Sequence, residues 1–408
     1  MVRPATLARD ISPPPVRRVS TVPGLLLDAK NHPDPEQEQE QDDFNANDKS
    51  EVARIEAHEL SIRDHLSYFV SHLSQVSRPT VGPRVPIDAF RELYQRNQHS
   101  QGAHFVVHQH DHPVAGLHYD LRLQFSDSST ISFAIPYGLP GNPNSKRPNR
   151  MAIETRVHNL WNNLIESASH ATGSLLIWDT GQYENLPRPQ PKLQPNTDDE
   201  ISDIDDGESA DTASQSQKLF EAFQSRHMRI RLHGTRLPKN YTIALRLPSA
   251  NNKAAQPKRP KRKRRRADPF QTVQTATANS SEGESDAEAI RSASRDDIID
   301  AAGIEAANAS EDDEDGVIRS NNAYTGANNT IGSIHQRHWF LTLDRSNSGF
   351  TKARSGPDAG RWIGSDAFFV RGRDHERSIV TGRLADDVMA DEGVEKFMRR
   401  KMWRPILE

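Results

Sequence analysis

Eight short stretches of this chain carry the apolar patterns of β-strands, and in several of them apolar and polar residues alternate. Successive side chains of a strand point to opposite faces, so a period of two marks a sheet with unlike faces. Turn residues separate the stretches, as in LPGNPNSKRPN, DTGQ and LPKN. We predict a mainly β protein, a small closed or partly open β-barrel of about eight strands. Its strands span residues 104–109, 117–125, 132–136, 151–155, 173–179, 227–232, 241–247 and 338–344.

Three stretches have helical spacing instead, and they lie beside the predicted strands. Residues 51–77 carry apolar side chains near a period of 3.6, and a second short helix follows Pro86 over Ile87–Gln98. The tail Asp386–Trp403 is predicted to form a basic helix with a methionine-rich apolar face. These segments are expected to be short flanking helices on the barrel.

Composition limits how much of the chain can fold. Of 408 residues, 34% are hydrophobic and 26 are proline, below the apolar share of an ordinary globular domain, so we expect one compact domain and long disordered insertions. The predicted organisation is a disordered tail (1–50), a helical segment (51–102), a barrel core (103–247) with an acidic disordered insertion (187–217), a disordered insertion (248–333), a final strand with an extension (334–385) and a C-terminal basic helix (386–408).

Charge and cysteine content exclude several classes of site. The chain has no cysteine, so disulfides, thiolate nucleophiles and Cys-ligated zinc are excluded. No apolar stretch suits a signal peptide or a membrane span, so a soluble intracellular protein is expected, without membrane partners.

The run KRPKRKRRR at 258–266 holds eight basic residues in nine and suits a nuclear import signal read by an import receptor. A solvated charge run is the alternative.

The richest chemistry lies in HFVVHQHDHPVAGLHYDLRLQ at residues 104–124. His118, Asp120 and Arg122 alternate with apolar residues, so they project from the same face of one strand. An imidazole and a carboxylate suit a divalent metal, and a guanidinium suits phosphate. This stretch therefore predicts a site that handles a metal ion and a phosphate together.

This stretch resembles the 3′-phosphoesterase domain of bacterial DNA ligase D, whose hallmark is FVVQ-x-H followed by LHYD-[FL]-RL. Here FVVHQH and LHYDLRL occupy those places. Further blocks follow in the family's order: AIPYGLPG, RMAIETRVHNL, GSLLIWDTGQYE, RIRLHGTRL with YTIALRL, and HWFLTLDR. The chain has no nucleotidyl-transferase lysine motif, which favours a stand-alone relative, and its insertions and basic run favour a eukaryotic, fungal-type one.

The resemblance implies roles for particular residues. His110, His118 and Asp120 match the family's metal ligands, usually for Mn²⁺. Arg122, His158 and Arg150, the last lying eight residues before His158, match groups that bind the phosphate or assist its displacement. The residue chemistry agrees, because two imidazoles and a carboxylate leave coordination positions for water and phosphate oxygens.

Several positions depart from the family pattern and leave alternatives open. His108 replaces a glutamine, Tyr137 a lysine and Arg156 an acid. These changes put in question whether both steps of the family's activity, the phosphodiesterase and the phosphomonoesterase step, are kept. The loop after His110 is longer than usual, which makes His112 a rival ligand. Two Arg-Asp pairs, residues 9–10 and 63–64, could match the family's N-terminal pair, which acts with a nearby acid.

The expected function is that of a metal-dependent hydrolase for DNA repair, including double-strand break repair, located in the nucleus. It would remove a 3′-phosphate or a 3′-terminal ribonucleotide from DNA or DNA/RNA ends and leave a ligatable 3′-OH. A DNA ligase or another repair protein is the expected protein partner. Two alternatives stay open: a catalytically impaired module that binds nucleic-acid ends, and a repair scaffold that recruits partners through its tails.

Overall fold

A computed structural model describes residues 50–187, 213–252, 321–400 and 403–408. The predictions of disorder for the N-terminal tail and for most of both insertions lie outside these residues, as does the basic run at 258–266. The described ends of the two insertions, residues 213–217 and 321–333, fold against the rest of the protein.

The architecture is a closed antiparallel barrel of eight strands, which confirms the predicted fold class. Its strands are β1 His104–His112, β2 Gly116–Gln124, β3 Ser129–Ile135, β4 Asn149–Glu154, β7 Gly173–Asn185, β8 His227–His233, β9 Thr242–Arg246 and β10 His338–Leu343. Around the ring they follow the order β1, β2, β3, β4, β10, β9, β8, β7, and β7 pairs with β1 to close it.

Shorter elements complete the fold. Strand β5 His158–Asn159 pairs with β3, and β6 Ser167–Ser169 pairs with β7. Strands β11 Thr351–Lys352 and β12 Trp362–Ile363 form a separate two-stranded sheet. The remaining elements are the α-helices α1 Glu51–Glu56, α2 His65–Gln75, α3 Ile87–Gln95, α4 Gln215–Gln224 and α5 Ala385–Asp391, and 3₁₀ turns at Leu160–Leu164 and Ser249–Asn251.

The strand alternation decides what fills the barrel. On β2, Tyr119, Leu121 and Leu123 point inward and are fully buried, so the residues between them point outward. The interior is packed mainly with aromatic and branched side chains. Its largest members include Phe105, Tyr119, Leu121, Phe133, Trp178, Tyr241 and Trp339.

The N-terminal helices cover the outer wall of β1 and β7. Phe69 and Leu73 of α2 and Phe90 of α3 pack with Val106 and Ile177 of the wall. Both faces of these two strands are therefore buried, and their sequences FVV and LLIW are continuously apolar there, as expected for strands covered on both sides.

The LHG motif makes a turn that depends on one carboxylate. Asp179 accepts hydrogen bonds from the backbone N–H groups of Thr235 (2.9 Å), Arg236 (3.1 Å) and Leu237 (2.9 Å). A Cβ atom at Gly234 would lie 2.1 Å from the Asp179 carboxylate, so a side chain there would displace that carboxylate. The glycine of this motif is therefore required by close approach.

A segment near the C-terminus, residues 376–383, is bound to the rest of the protein through two buried carboxylates. Glu376 accepts hydrogen bonds from the Tyr119 hydroxyl inside the barrel (2.5 Å) and from the backbone. The fully buried Glu166 accepts from Arg383 (3.0 Å) and from the Thr381 hydroxyl (2.6 Å).

No helix among the described residues is long and apolar enough to cross a membrane.

The predicted helix boundaries need correction. The stretch 51–77 forms two helices, because His58 adopts a positive φ of 59° and Asp64 caps a new helix by accepting from the Ser67 N–H. The helix predicted over Ile87–Gln98 ends at Gln95. Helix α4 was not predicted; Ser214 caps it, and two of its apolar residues pack on the barrel.

The predicted basic C-terminal helix is wrong beyond Asp391. Helix α5 stops there because Gly393 takes a positive φ of 74° and the Val394 N–H bonds back to the Met389 carbonyl at 2.8 Å. The first turn of α5 is acidic, and residues 394–400 form no helix.

Candidate metal and phosphate site

The hairpin of β1 and β2 brings three candidate metal ligands together on the outer wall of the barrel. His110 lies directly opposite His118 in the register, and Asp120 is its diagonal neighbour. One ligand atom from each of the three residues lies within 4.8 Å of the other two. The short turn between the strands sets this register, so the sequence fixes the cluster locally.

Backbone carbonyls fix the orientation of both imidazoles. His110 Nε2 lies 2.8 Å from the Thr172 carbonyl, and His118 Nδ1 lies 2.9 Å from the Gly116 carbonyl. A carbonyl only accepts, so these two nitrogens carry the protons. The opposite nitrogens, His110 Nδ1 and His118 Nε2, then face Asp120 with their lone pairs, at 3.3 Å and 3.5 Å.

These three facing acceptors fit a cation. Burial would lower the pKa of His110, but the Asp120 carboxylate outweighs burial and raises it, whereas burial holds the pKa of His118 at about 4. Burial would raise the pKa of Asp120, yet the positive charge of His118 and His110 in their protonated forms holds it well below its usual range. A proton on His110 or a divalent ion between the three groups would satisfy this arrangement. Backbone carbonyls, such as those of Thr172 and Gly116 here, are usual acceptors for the outer N–H of metal-binding histidines.

The two other histidines of the stretch lie outside this cluster. His112 Nδ1 accepts from the backbone N–H groups of Val114 (3.2 Å) and Ala115 (3.1 Å), so it stabilises the hairpin turn. His108 is fully buried, and its Nε2 lies 3.2 Å from the Ile165 carbonyl. The sequence left His110 and His112 as rival ligands. The geometry groups His110, and not His112, with His118 and Asp120.

Arg122 and His158 form the adjacent part of the site. Arg122 continues the outer row of β2, donates to the Asn162 carbonyl at 3.1 Å, and its buried Nε has no partner among the described residues. Strand β5 brings His158 to the edge of β3, within electrostatic range of Arg122 and Asp120. Burial, reinforced by Arg122, holds the pKa of His158 well below its ordinary value, so its imidazole is neutral near pH 7.

Arg150 does not join them, contrary to the sequence prediction. Asp120 pairs with Ala134 and Ala134 with Ile153, so Ile153 shares the outer face with the cluster. Arg150 is three residues from Ile153 and therefore projects from the opposite face of β4. Its guanidinium donates to the Arg147 and Asn149 carbonyls near the barrel end. Sequence spacing alone could not reveal this, because the face from which Arg150 projects depends on how β4 pairs with β3.

Glu56 is a residue of this site that the sequence analysis did not single out. It ends α1, accepts a hydrogen bond from the Ser167 hydroxyl, and lies within electrostatic range of His110 and Arg122. A single acid in a helical segment is ordinarily solvated, so only the family's expectation of a nearby N-terminal acid could have pointed to it.

The two Arg-Asp pairs have a different outcome. Asp64 caps α2, and its carboxylate accepts from the Ser67 N–H at 3.0 Å and the Ser67 hydroxyl at 2.6 Å. Both Arg63 and Asp64 are exposed, beside a groove of about 580 Å³ lined partly by Trp161. Residues 9–10 lie outside the described residues.

Tyr324 was also missed, because it lies in a segment predicted to be disordered. Its ring is 4.7 Å from the His158 ring, centroid to centroid, and the Arg156 guanidinium lies over it at 5.0 Å. No local pattern signals this residue. Contacts between positions more than 160 residues apart bring it to the site.

Two comparisons with known proteins bear on this site. Residues 108–245 match the family model described as the DNA Ligase D 3′-phosphoesterase domain, which confirms the resemblance read from the sequence. The multifunctional non-homologous end joining protein LigD of Mycolicibacterium smegmatis (strain ATCC 700084 / mc(2)155) is 34% identical over 104 residues. That alignment covers 24% of this chain and 13% of the LigD protein.

Proposed function

We propose that this chain, whose residues 108–245 match the DNA ligase D 3′-phosphoesterase family, is a metal-dependent phosphoesterase that processes DNA 3′ ends for repair. Its products would be 3′-OH ends, made by removing a 3′-phosphate or a 3′-terminal ribonucleotide. One observation carries the proposal. Within the matched residues, the lone pairs of His110, His118 and Asp120 converge, and Arg122, within electrostatic range of Asp120, has a buried Nε with no partner among the described residues.

The donor set fits a divalent ion of the kind that accepts both nitrogen and oxygen ligands, and we propose Mn²⁺. His110 Nδ1, His118 Nε2 and one Asp120 oxygen would hold it. When bound, such an ion supplies Lewis-acid polarisation of the phosphoryl group and an activated water. Thr172 and Gly116 would keep the two imidazoles oriented through their carbonyls.

The remaining side chains act on the phosphate and the leaving oxygen. Arg122 would donate to non-bridging oxygens, with its Nε and one terminal nitrogen giving the paired geometry that suits phosphate. In the reaction, a water oxygen bonds to phosphorus while the bond from phosphorus to the 3′ oxygen breaks, and that oxygen gains a proton. The neutral His158 can donate an N–H hydrogen bond to the developing charge, or hold the attacking water.

Phosphate release from a 3′-phosphorylated DNA primer, with Mn²⁺ present, tests the proposal. The wild-type protein should release inorganic phosphate, and His118→Ala should lower the rate by about 10²-fold or more because a ligand is lost. His233→Ala is the matched control, since His233 is exposed on β8 and pairs with Glu184 at 3.5 Å. Equal release by wild-type protein and His118→Ala would contradict the metal assignment.

A second candidate is a module that binds 3′ ends without hydrolysing them. Tyr137 and Arg156 stand where the family has a lysine and an acid, and Arg150 lies on the other face of its strand. Affinity for a 3′-phosphorylated end over a 3′-OH end, without any release, would favour this module over the enzyme.

Location and partners are separate proposals that rest on the sequence. The basic run at 258–266 would bind an import receptor and direct the protein to the nucleus, where a DNA ligase could seal its products. Alanine at the eight basic positions of the run should shift a fluorescent fusion to the cytoplasm. Deleting residues 253–320 would test the scaffold alternative, in which repair activity in cells fails while phosphate release by the purified protein is unchanged.

A further inference from the structure

A segment outside the family match builds one wall of the candidate site. The Val157 N–H donates to the Asn322 carbonyl at 2.9 Å, and the Tyr324 N–H donates back to the Val157 carbonyl at 3.0 Å. Next along the chain, the Asn159 side chain donates to the Thr325 carbonyl at 2.9 Å. These bonds hold residues 322–325 along the strand-like stretch that carries His158.

The same segment is anchored on its other side by a buried carboxylate. Asn322 donates to the Ser333 hydroxyl at 3.0 Å, and that hydroxyl donates to Glu154 at 2.7 Å. Glu154 also accepts from Arg337, at 2.8 Å. The position of residues 322–325 is therefore set by bonds to two neighbouring parts of the barrel.

This wall presents one aromatic ring to the site. The Tyr324 ring is partly exposed, and it stacks under the Arg156 guanidinium at 5.0 Å and inclines by 53° to the His158 ring. Tyr324 also lies within electrostatic range of Arg122, the proposed phosphate ligand. An aromatic ring with a guanidinium beside a phosphate site is the combination that binds a flat base attached to a phosphorylated sugar.

We propose that the partly exposed Tyr324 ring, backed by the buried Arg156 guanidinium, forms a stacking subsite for the nucleobase of the 3′-terminal nucleotide. This inference rests on the proposed function, since it assumes that the phosphate lies at Arg122. Tyr324 contacts the base and would be a specificity residue for nucleic-acid ends. The competing explanation is that Tyr324 only packs against His158 and holds that imidazole in place.

A cycle of three proteins and two substrates separates these explanations. The substrates are 3′-phosphorylated oligonucleotides that are identical except that one carries an abasic terminal nucleotide. Stacking of one base predicts that wild-type protein has a KM about 10-fold lower or more for the base-bearing end. Tyr324→Ala should remove this preference, and Tyr324→Phe should restore it, because the ring is what stacks.

Thr325→Ala is the matched control, since it is exposed and its bond to Asn159 uses only its backbone. If Tyr324→Ala slows both substrates equally through kcat, the subsite is wrong and the ring only supports His158. If no protein releases phosphate, the proposed function fails, and the same cycle measured as binding affinity still decides the subsite. A base preference in binding that Tyr324→Ala abolishes supports it, and no preference overturns it.

Discussion

Two buried carboxylates of this protein face opposite kinds of partner. Glu154 at the end of β4 accepts from Arg337 (2.8 Å and 3.0 Å), from the Trp339 indole (2.9 Å) and from the Ser333 hydroxyl (2.7 Å). Asp120 on β2 instead faces two imidazole lone pairs at 3.3 Å and 3.5 Å. A satisfied carboxylate stabilises a fold, whereas one that shares its space with other acceptors is suited to bind a cation.

The comparison predicts its largest effect at Glu154. Glu154→Gln leaves the buried Arg337 without a counter-charge, so the free energy of unfolding should fall by about 3–5 kcal/mol. Urea titration measures this loss. Glu184→Gln is the control, because that carboxylate is 41% exposed beside Arg231 and should change stability by less than about 1 kcal/mol. Equal losses in both variants would mean that Glu154 is not the structural carboxylate inferred above.

Asp120 should respond in the opposite way. Asp120→Asn should lower phosphate release by about 10²-fold or more, because a ligand is lost, while the metal-free free energy of unfolding should fall by less than it does in Glu154→Gln. An asparagine amide can donate to one of the facing imidazole nitrogens, which compensates for the lost carboxylate. Rate measurement and urea titration of the same preparation check both halves. A large loss of stability with normal release would reverse the comparison.

The surroundings of Asp120 could be predicted well from the sequence. The period of two along β2 places His118, Asp120 and Arg122 on one face, and the short turn after His112 brings His110 opposite His118. These relations are local, because a hairpin register depends only on two strands and their turn.

The parts that the sequence could not supply are set at long range. Arg150 falls on the inner face because of how β4 pairs with β3, and Glu56 reaches the site only through packing of α1 near β6. Tyr324 and Glu154 meet their partners across gaps that no periodic pattern spans. A barrel of about eight strands was predictable from the short strands and turns, whereas its closure depends on the pairing of β1 with β7, which the sequence left open.

The effect of Mn²⁺ on stability should also distinguish Asp120 from Glu154. At a free Mn²⁺ concentration of 100 times its Kd, binding to the native state should add about 2.7 kcal/mol to the free energy of unfolding. Asp120→Asn should lose most of this gain, and Glu154→Gln should keep it, although it starts from a lower stability. Urea titrations with and without Mn²⁺ measure the gain. An undiminished gain in Asp120→Asn would place the ion elsewhere.

Asp344 is an intermediate case, and it should show the smallest effect. Burial would raise the pKa of Asp344, but hydrogen bonds from Arg229 (2.6 Å and 3.0 Å) and Asn347 outweigh it, so the pKa lies below its ordinary value. Partial exposure to solvent limits the value of this pair to about 1 kcal/mol. Asp344→Asn should therefore be less stable than the wild-type protein by about that amount at pH 7.

The pH dependence of this difference tests its origin. A carboxyl whose pKa is lower in the folded state stabilises the protein above the unfolded-state pKa of about 3.9, and this contribution is lost as pH falls through the folded-state pKa. The stability difference between wild-type protein and Asp344→Asn should therefore be constant above about pH 5 and shrink below about pH 4. Urea titrations of both proteins across this range measure it. A difference that persists to low pH would show that packing, and not charge, makes Asp344 structural, and the distinction between satisfied and cation-binding carboxylates would then rest on Glu154 alone.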